Sequence, residues 1–224
     1  MVLPESQPTG PIDQVVTSGT FSLDGGTWAV MNNVWIIGDE KEVIVIDASH
    51  DVETIAEGIA DRRVVAVICT HGHNDHVNQG PALADRFDAP ILLNLAEAPL
   101  WMMTHPDRKP DRELSDGDVF RVGGISLRAI VTPGHSPGST CLYAQDLGTV
   151  FSGDTLFKGG PGVTGRSFSS FDSIIDSISD RLLTLPGDTV VRTGHGVSTT
   201  VGTELPHLGD WILRGRGTPG LRRR

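Results

Sequence analysis

The segment Thr70-His71-Gly72-His73-Asn74-Asp75-His76 directly follows the apolar run Val64-Val65-Ala66-Val67-Ile68-Cys69. Four potential metal ligands, His71, His73, Asp75 and His76, therefore gather at the exit of a strand that has to be buried. Imidazoles and carboxylates packed so densely beside a core are costly unless a cation or water satisfies them. At about 100° per residue, a helix would scatter the four side chains around its circumference. The spacing instead predicts a loop leaving the strand, with His71 and His73 offered to one metal and Asp75 and His76 to a second. Each pair is incomplete, since a catalytic zinc typically takes about three protein ligands plus water.

Three further candidates each follow a strand-like segment. His135 sits in Thr132-Pro133-Gly134-His135-Ser136-Pro137-Gly138, just after Ile125–Val131. Asp154 sits in Phe151-Ser152-Gly153-Asp154-Thr155-Leu156, and His195 in Thr193-Gly194-His195-Gly196. Strand ends are where layered α/β architectures gather catalytic groups. The glycine beside each candidate lets backbone pass close to a compact site.

The rest of the chain reads as strands in two groups interleaved with helices. Trp28–Ile37, Val43–Ile46, Val64–Cys69 and Ile91–Asn94 form the first group. Val119–Val122 with Ile125–Val131, Thr140–Ala144 with Thr149–Ser152, and Val190-Val191 form the second. Helices are expected over Val52–Ala60, from Gly80-Pro81 onward, and over Val201–Leu213. The most regular one carries Phe171, Ile174, Ile175, Ile178, Leu182 and Leu185 on one face, with Ser169 or Ser170 as cap. This pattern predicts an α+β four-layer sandwich: two mixed sheets packed face to face, helices outside. One domain over 14–214 is expected, flanked by a flexible segment over 1–13 and a flexible basic tail over 215–224.

The 224 residues carry 18 basic and 28 acidic side chains, a net charge of −10. That balance argues against a nucleic-acid partner, which calls for a basic face. No apolar run approaches a membrane span, and the N-terminus lacks the pattern of a signal peptide. The two cysteines, Cys69 and Cys141, sit in apolar strand contexts outside any CxxC pair, so a reducing, cytoplasmic setting is expected. Cys69 is read as core, Tyr143 as a strand residue, and His50, His105 and His207, which have no motif partner, as surface residues. Oligomeric state is not encoded in any of these patterns.

Taken together, Asp47 at a strand end, the His71–His76 motif, His135, Asp154 and His195 resemble the metallo-β-lactamase fold superfamily. Within it, Thr132–Thr140 and Ser152–Phe157 are similar to the glyoxalase II-like thioester hydrolases. The resemblance implies that His71, His73 and His135 bind a first metal, and that Asp75, His76 and His195 bind a second. It further implies that Asp154 bridges the two and that Asp47 orients a ligand without coordinating. Two divalent ions follow as cofactors, zinc foremost, with iron or manganese also suited to imidazole and carboxylate. Little chain follows His195, so the C-terminal helical domain of full-length glyoxalase II enzymes is not expected, and its glutathione-contacting residues cannot be carried over.

Paired divalent metals lower the pKa of a shared water towards neutrality and polarise a carbonyl. A thiolate leaving group needs no strong acid, and Asp75 can take the proton of the attacking water. The expected reaction is hydrolysis of a small thiol's thioester to a hydroxy acid and free thiol. Glutathione, mycothiol and bacillithiol are all possible carriers. A bridging carboxylate disfavours β-lactam hydrolysis. Lactonases share the ligand set, and persulfide dioxygenases would use His71, His135 and Asp154 around one iron. Gly165-Arg166-Ser167-Phe168 departs from the Gly-Arg-Thr-Asp-Phe-like segment of the last group and of many glyoxalase II-like chains. Lys158 and Arg166, on a glycine-rich stretch after Asp154, are candidates to grip a substrate carboxylate.

Overall fold

A computed structural model of the chain describes residues 10–215. The first sheet is built from β1 (Ile12–Leu23), β2 (Gly26–Gly38), β3 (Glu42–Ile46), β4 (Arg63–Ile68), β5 (Ile91–Leu93) and β6 (Arg112–Glu113), adjacent in that order. Pairing is antiparallel from β1 to β3 and parallel from β3 to β6. The second sheet carries β7 (Val119–Val122), β8 (Ile125–Val131), β9 (Thr140–Ala144) and β10 (Thr149–Gly153). A short hairpin, β11 (Leu156–Phe157) with β12 (Gly160–Pro161), then leads to β13 (Val190–Thr193) and β14 (Thr199–Thr200), which complete that sheet in the order β14-β13-β10-β9-β8-β7. Only β10 and β13 are parallel there.

The continuous apolar runs follow from burial on both faces of a sheet. In β3, Ile44 and Ile46 point between the sheets, where they meet Trp35, Leu127, Leu142 and Phe151. Val43 and Val45 point the other way, onto Ile55 and Ile59 of α1 (Val52–Ile59). The short α2 (Asn74–Val77), then α3 (Gly80–Phe87) and α4 (Ala98–Thr104), complete that outer layer. Across the molecule, Ile174, Ile178 and Trp211 cover Ile130, Tyr143 and Val191 on the second sheet. These belong to α5 (Phe171–Ser177), to the turn that continues it, and to the last of the helices α6 (Val201–Glu204) and α7 (Leu208–Gly215). The expected four-layer α+β sandwich is therefore present.

Several boundaries differ from the sequence reading. Strand β1 starts at Ile12, inside the stretch read as irregular over 1–13, and is the long edge strand that the alternation failed to announce. The apolar face from Phe171 to Leu185 is not one α-helix. It becomes a π turn over Ile178–Leu182, closed by Leu183 N donating to Ile178 O at 2.9 Å, which lets the apolar side chains keep one face through a wider turn. The helix expected over Val201–Leu213 breaks into α6, a 3₁₀ turn at Leu205–His207 and α7, because Pro206 has no N–H to give. The basic tail lies outside the described residues except for Gly215. No helix among the described residues is long and apolar enough to cross a membrane.

Ile46 is fully buried between the sheets. Ile46→Ala is expected to cost about 2–5 kcal/mol of unfolding free energy, read from denaturant unfolding. A loss below about 1 kcal/mol would contradict this packing.

Candidate metal centre

The site forms along one edge of the sandwich, where strands from both sheets end. Asp47 follows β3 and residues 69–76 follow β4, whereas Asp154 follows β10 and His195 comes two residues after β13. Because β3 runs parallel to β4, and β10 to β13, each pair of strand ends lies on a common edge. His135 enters from the loop after β8. The 71–76 motif divides, as expected, into two ligand pairs, but not as loop alone. His71 and His73 precede α2, and Asp75 and His76 lie within it.

All seven expected ligands converge. One potential ligand atom from each of His71, His73 and His135 lies within 4.8 Å of the others, and the same holds for Asp75, His76 and His195 and for His71, His76 and Asp154. His73 Nδ1 faces His135 Nε2 at 3.0 Å, and His76 Nε2 faces His195 Nε2 at 3.1 Å. Asp154 stands between the two groups. Its Oδ1 is 3.4 Å from His76 Nε2, and its Oδ2 is 3.6 Å from His135 Nε2 and 3.4 Å from His195 Nε2. Gly194 makes this possible, since a Cβ there would collide with Asp154 and crowd the His76 ring.

The rings are oriented from behind. His135 Nδ1 lies 2.9 Å from Val163 O, and His195 Nδ1 lies 2.7 Å from Met31 O. A carbonyl only accepts, so both rings carry a proton on Nδ1 and turn Nε2 inward. His76 Nδ1 meets Asp47 Oδ2 at 2.9 Å with the same consequence. Thr70 donates its backbone N–H and its hydroxyl to Asp47, each at 2.7 Å, and that hydroxyl lies 3.0 Å from His71 Nδ1. His71 Nε2, His73 Nε2, Asp75 Oδ1 and Asp154 Oδ1 are buried with no hydrogen-bond partner. Buried polar atoms are normally paired, so this concentration of unpaired atoms in one cluster fits bound cations.

Electrostatics separates the two groups. Burial holds His71 and His135 below the ordinary imidazole range and pushes His73 down to about 3. These three rings are neutral at pH 7, which is the form that ligates. Burial also acts against charge on His76 and His195, but the surrounding carboxylates, Asp154 foremost, outweigh it, and His195 is raised to about 10. Conversely, burial raises Asp75 and Asp154, but His76 and then His195 more than offset it, and both carboxyls stay ionised. Without metal, the second group is thus a cluster of ion pairs, and a cation entering it displaces protons.

Above this floor lies a cavity of about 270 Å³. Its walls come from the β1–β2 hairpin (Phe21, Trp28), from Phe157, and from Val163, Arg166 and Ser167. Phe21 sits edge-on to His73, with ring centroids 5.1 Å apart. Asn74 anchors the hairpin, donating to Thr20 O at 2.7 Å and accepting from Ser22 N at 2.8 Å. The Arg166 guanidinium lies 3.8 Å from the Trp28 ring centroid, and Ser167 N donates to Asp24 Oδ2 at 3.0 Å. Of the two cations expected to face substrate, only Arg166 lines the cavity. Lys158 is exposed at the two-residue turn joining β11 to β12 and does not line it.

Three histidines read as surface divide. His207 is exposed. His105 is half-buried against Trp101 and lies 2.9 Å from Val77 O. His50 is half-buried and hydrogen-bonded behind the centre. Glu97 was not legible in advance. It is a lone acid without a motif, yet it is fully buried, accepting from Gly72 N at 2.7 Å through Oε2 and from Gly138 N at 2.5 Å through Oε1. One carboxylate thus joins the loop of His71 and His73 to the loop of His135.

The family description "Metallo-beta-lactamase superfamily" matches residues 27–195, and the chain belongs to that superfamily. It is 29% identical to the hydroxyacylglutathione hydrolase GloC of Haemophilus influenzae, over 74% of this chain and 85% of that protein. Among solved structures it is similar to the BLEG-1 B3 metallo-beta-lactamase, with TM-score 0.72 and 26% identity over 88% of this chain and all of that one. It is also similar to TTHA1623 in a di-iron-bound form, with TM-score 0.71 and 28% identity over 79% of this chain and 93% of that one.

Glu97→Gln presents an amide N–H to one of two buried backbone donors. It is expected to cost about 1–3 kcal/mol and to lower metal content, read by thermal unfolding and elemental analysis of one sample. Unchanged stability and metal content would contradict the bracing role of Glu97.

Proposed function

We propose that the chain is a metal-dependent hydrolase that cleaves a thioester of a small thiol. The observation that carries this reading is the Asp154 carboxylate, set between two histidine groups at the floor of a largely apolar cavity. His71, His73 and His135 would hold one divalent ion and Asp75, His76 and His195 a second, with Asp154 shared. When bound, such a pair supplies an activated water and a polarised carbonyl.

The chain's own residues complete the reaction. Asp75, whose side chain lines the cavity, would take a proton from the attacking water. Phe21, Trp28 and Phe157 exclude bulk water from the acyl group. The cavity lining presents no lysine, cysteine or tyrosine as a proton donor to a leaving group. A thiolate, with a pKa of about 8.5 for an ordinary thiol, leaves without one. The similarity to GloC supports the same substrate class. Arg166, at the cavity wall, would pair with a substrate carboxylate, and its stacking on Trp28 orients its fork.

The test is turnover of S-lactoylglutathione, a simple lactone and a chromogenic β-lactam by the zinc- and iron-loaded protein. Thioester hydrolysis is expected to dominate. Arg166→Ala is expected to raise KM about 5- to 20-fold, as loss of a partly solvated charged contact would, with kcat little changed and Lys158→Ala neutral. Opening of the lactone or β-lactam without thioester turnover would overturn the substrate assignment.

A further inference from the structure

We propose that His50 is a positioning residue of the metal centre: through Asn32 it fixes how the Asp75 carboxylate is presented. This rests on the reading that Asp75 serves a metal.

His50 is held more tightly than a surface residue needs to be. Its φ is +61°, in the left-handed region that few non-glycine residues adopt. Its ring packs on Gly19 in the middle of β1, and a Cβ on Gly19 would overlap that ring. A glycine inside a strand weakens the strand unless something must approach closely. Here the approaching group is His50.

The hydrogen bonds run in one direction only. His50 N–H donates to Asn78 Oδ1 at 2.7 Å, which pins that amide and turns its Nδ2 towards His50 Nδ1 at 3.0 Å. An amide nitrogen only donates, so Nδ1 is the acceptor, and the proton of the neutral ring lies on Nε2. Nε2–H therefore donates to Asn32 Oδ1 at 2.9 Å. That leaves the Asn32 Nδ2 to donate to Asp75 Oδ2 at 3.1 Å. Asn32 is fully buried, and flipping its amide would set donor against donor at His50 and acceptor against acceptor at Asp75. Oδ2 is also the oxygen that faces His195 Nε2 at 3.3 Å and His76 Nε2 at 3.6 Å, and the Asn32 Nδ2 lies 3.3 Å from His76 Nε2, so Asn32 holds the edge of the carboxylate that points into the second group, while Oδ1 has no partner. Asn78 is also the C-terminal cap of α2, the turn that carries Asp75 and His76. His50 therefore secures this turn at two places, its end and its carboxylate.

The first readout needs no metal. In the metal-free protein, imidazole ¹⁵N shifts are expected to show His50 protonated on Nε2 and bare on Nδ1; the opposite tautomer overturns the chain of bonds. The second readout is zinc titration by calorimetry. Wild type is expected to take two ions. His50→Ala and Asn32→Ala should each weaken one of the two by about 10- to 100-fold, and the double variant should be no weaker than the singles, because both break one chain. Gly19→Ala should mimic His50→Ala. Combining the two should restore thermal stability, since the collision is gone, without restoring zinc affinity. Equal weakening of both ions, additive losses, or no loss would overturn the proposal. A wild-type protein that fails to take two ions would count against the metal reading itself, and the tautomer would then decide the positioning role by itself.

Discussion

The buried carboxylate of Asp47 is the point on which the candidate metal centre is assembled. It accepts the backbone N–H and the hydroxyl of Thr70 and meets His76 Nδ1, so the ends of β3 and β4 and the turn of α2 are tied at one place. Leaving any one of these buried partners unsatisfied costs about 1–3 kcal/mol. The Thr70 hydroxyl extends the constraint to His71. Two of the inward-facing rings, one in each group, therefore inherit their orientation from a residue that need not touch a metal. Val163 O and Met31 O do the same for His135 and His195. A site in which most ring rotations are settled by surrounding hydrogen bonds can bring five histidines and two carboxylates within ligating distance without collapse.

Folding and function meet in the same contacts. The first sheet supplies the dense motif and the second supplies Asp154 and His195. Packing of Ile44 and Ile46 against Leu142 and Phe151 thus sets the separation of the two halves of the site. Glu97 makes a comparable link between the two loops of the neutral three-histidine group. The β1–β2 hairpin is fixed to the motif by Asn74 and supplies the aromatic wall above it. The proposed substrate wall and the candidate metal ligands therefore share a scaffold, and a change in hairpin packing at Gly19 would reach the ligand cluster through His50.

The expected ligands are brought together because each belongs to a motif with its own local logic: a strand end, a neighbouring glycine and a polar side chain with no solvent role. The layered architecture was legible for a related reason, since doubly buried strands such as Val43–Ile46 leave an uninterrupted apolar run. What escaped was carried by residues without a pattern. Strand β1 alternates with polar and small residues because it lies at a sheet edge. Glu97 and Asn32 are ordinary polar residues until tertiary structure buries them. His50 was read as a surface residue because its partners, Asn32 and Asn78, lie 18 and 28 positions away. Lys158 was placed near substrate by chain proximity to Asp154, whereas the β11–β12 turn carries it out to solvent.

The measurement that bears most directly on this account is anomalous diffraction from crystals of the zinc-loaded protein. Two peaks are predicted, one among His71, His73 and His135 and one among Asp75, His76 and His195, with Asp154 between them. A single peak, or a second one away from the Asp75 group, would contradict the two-metal centre.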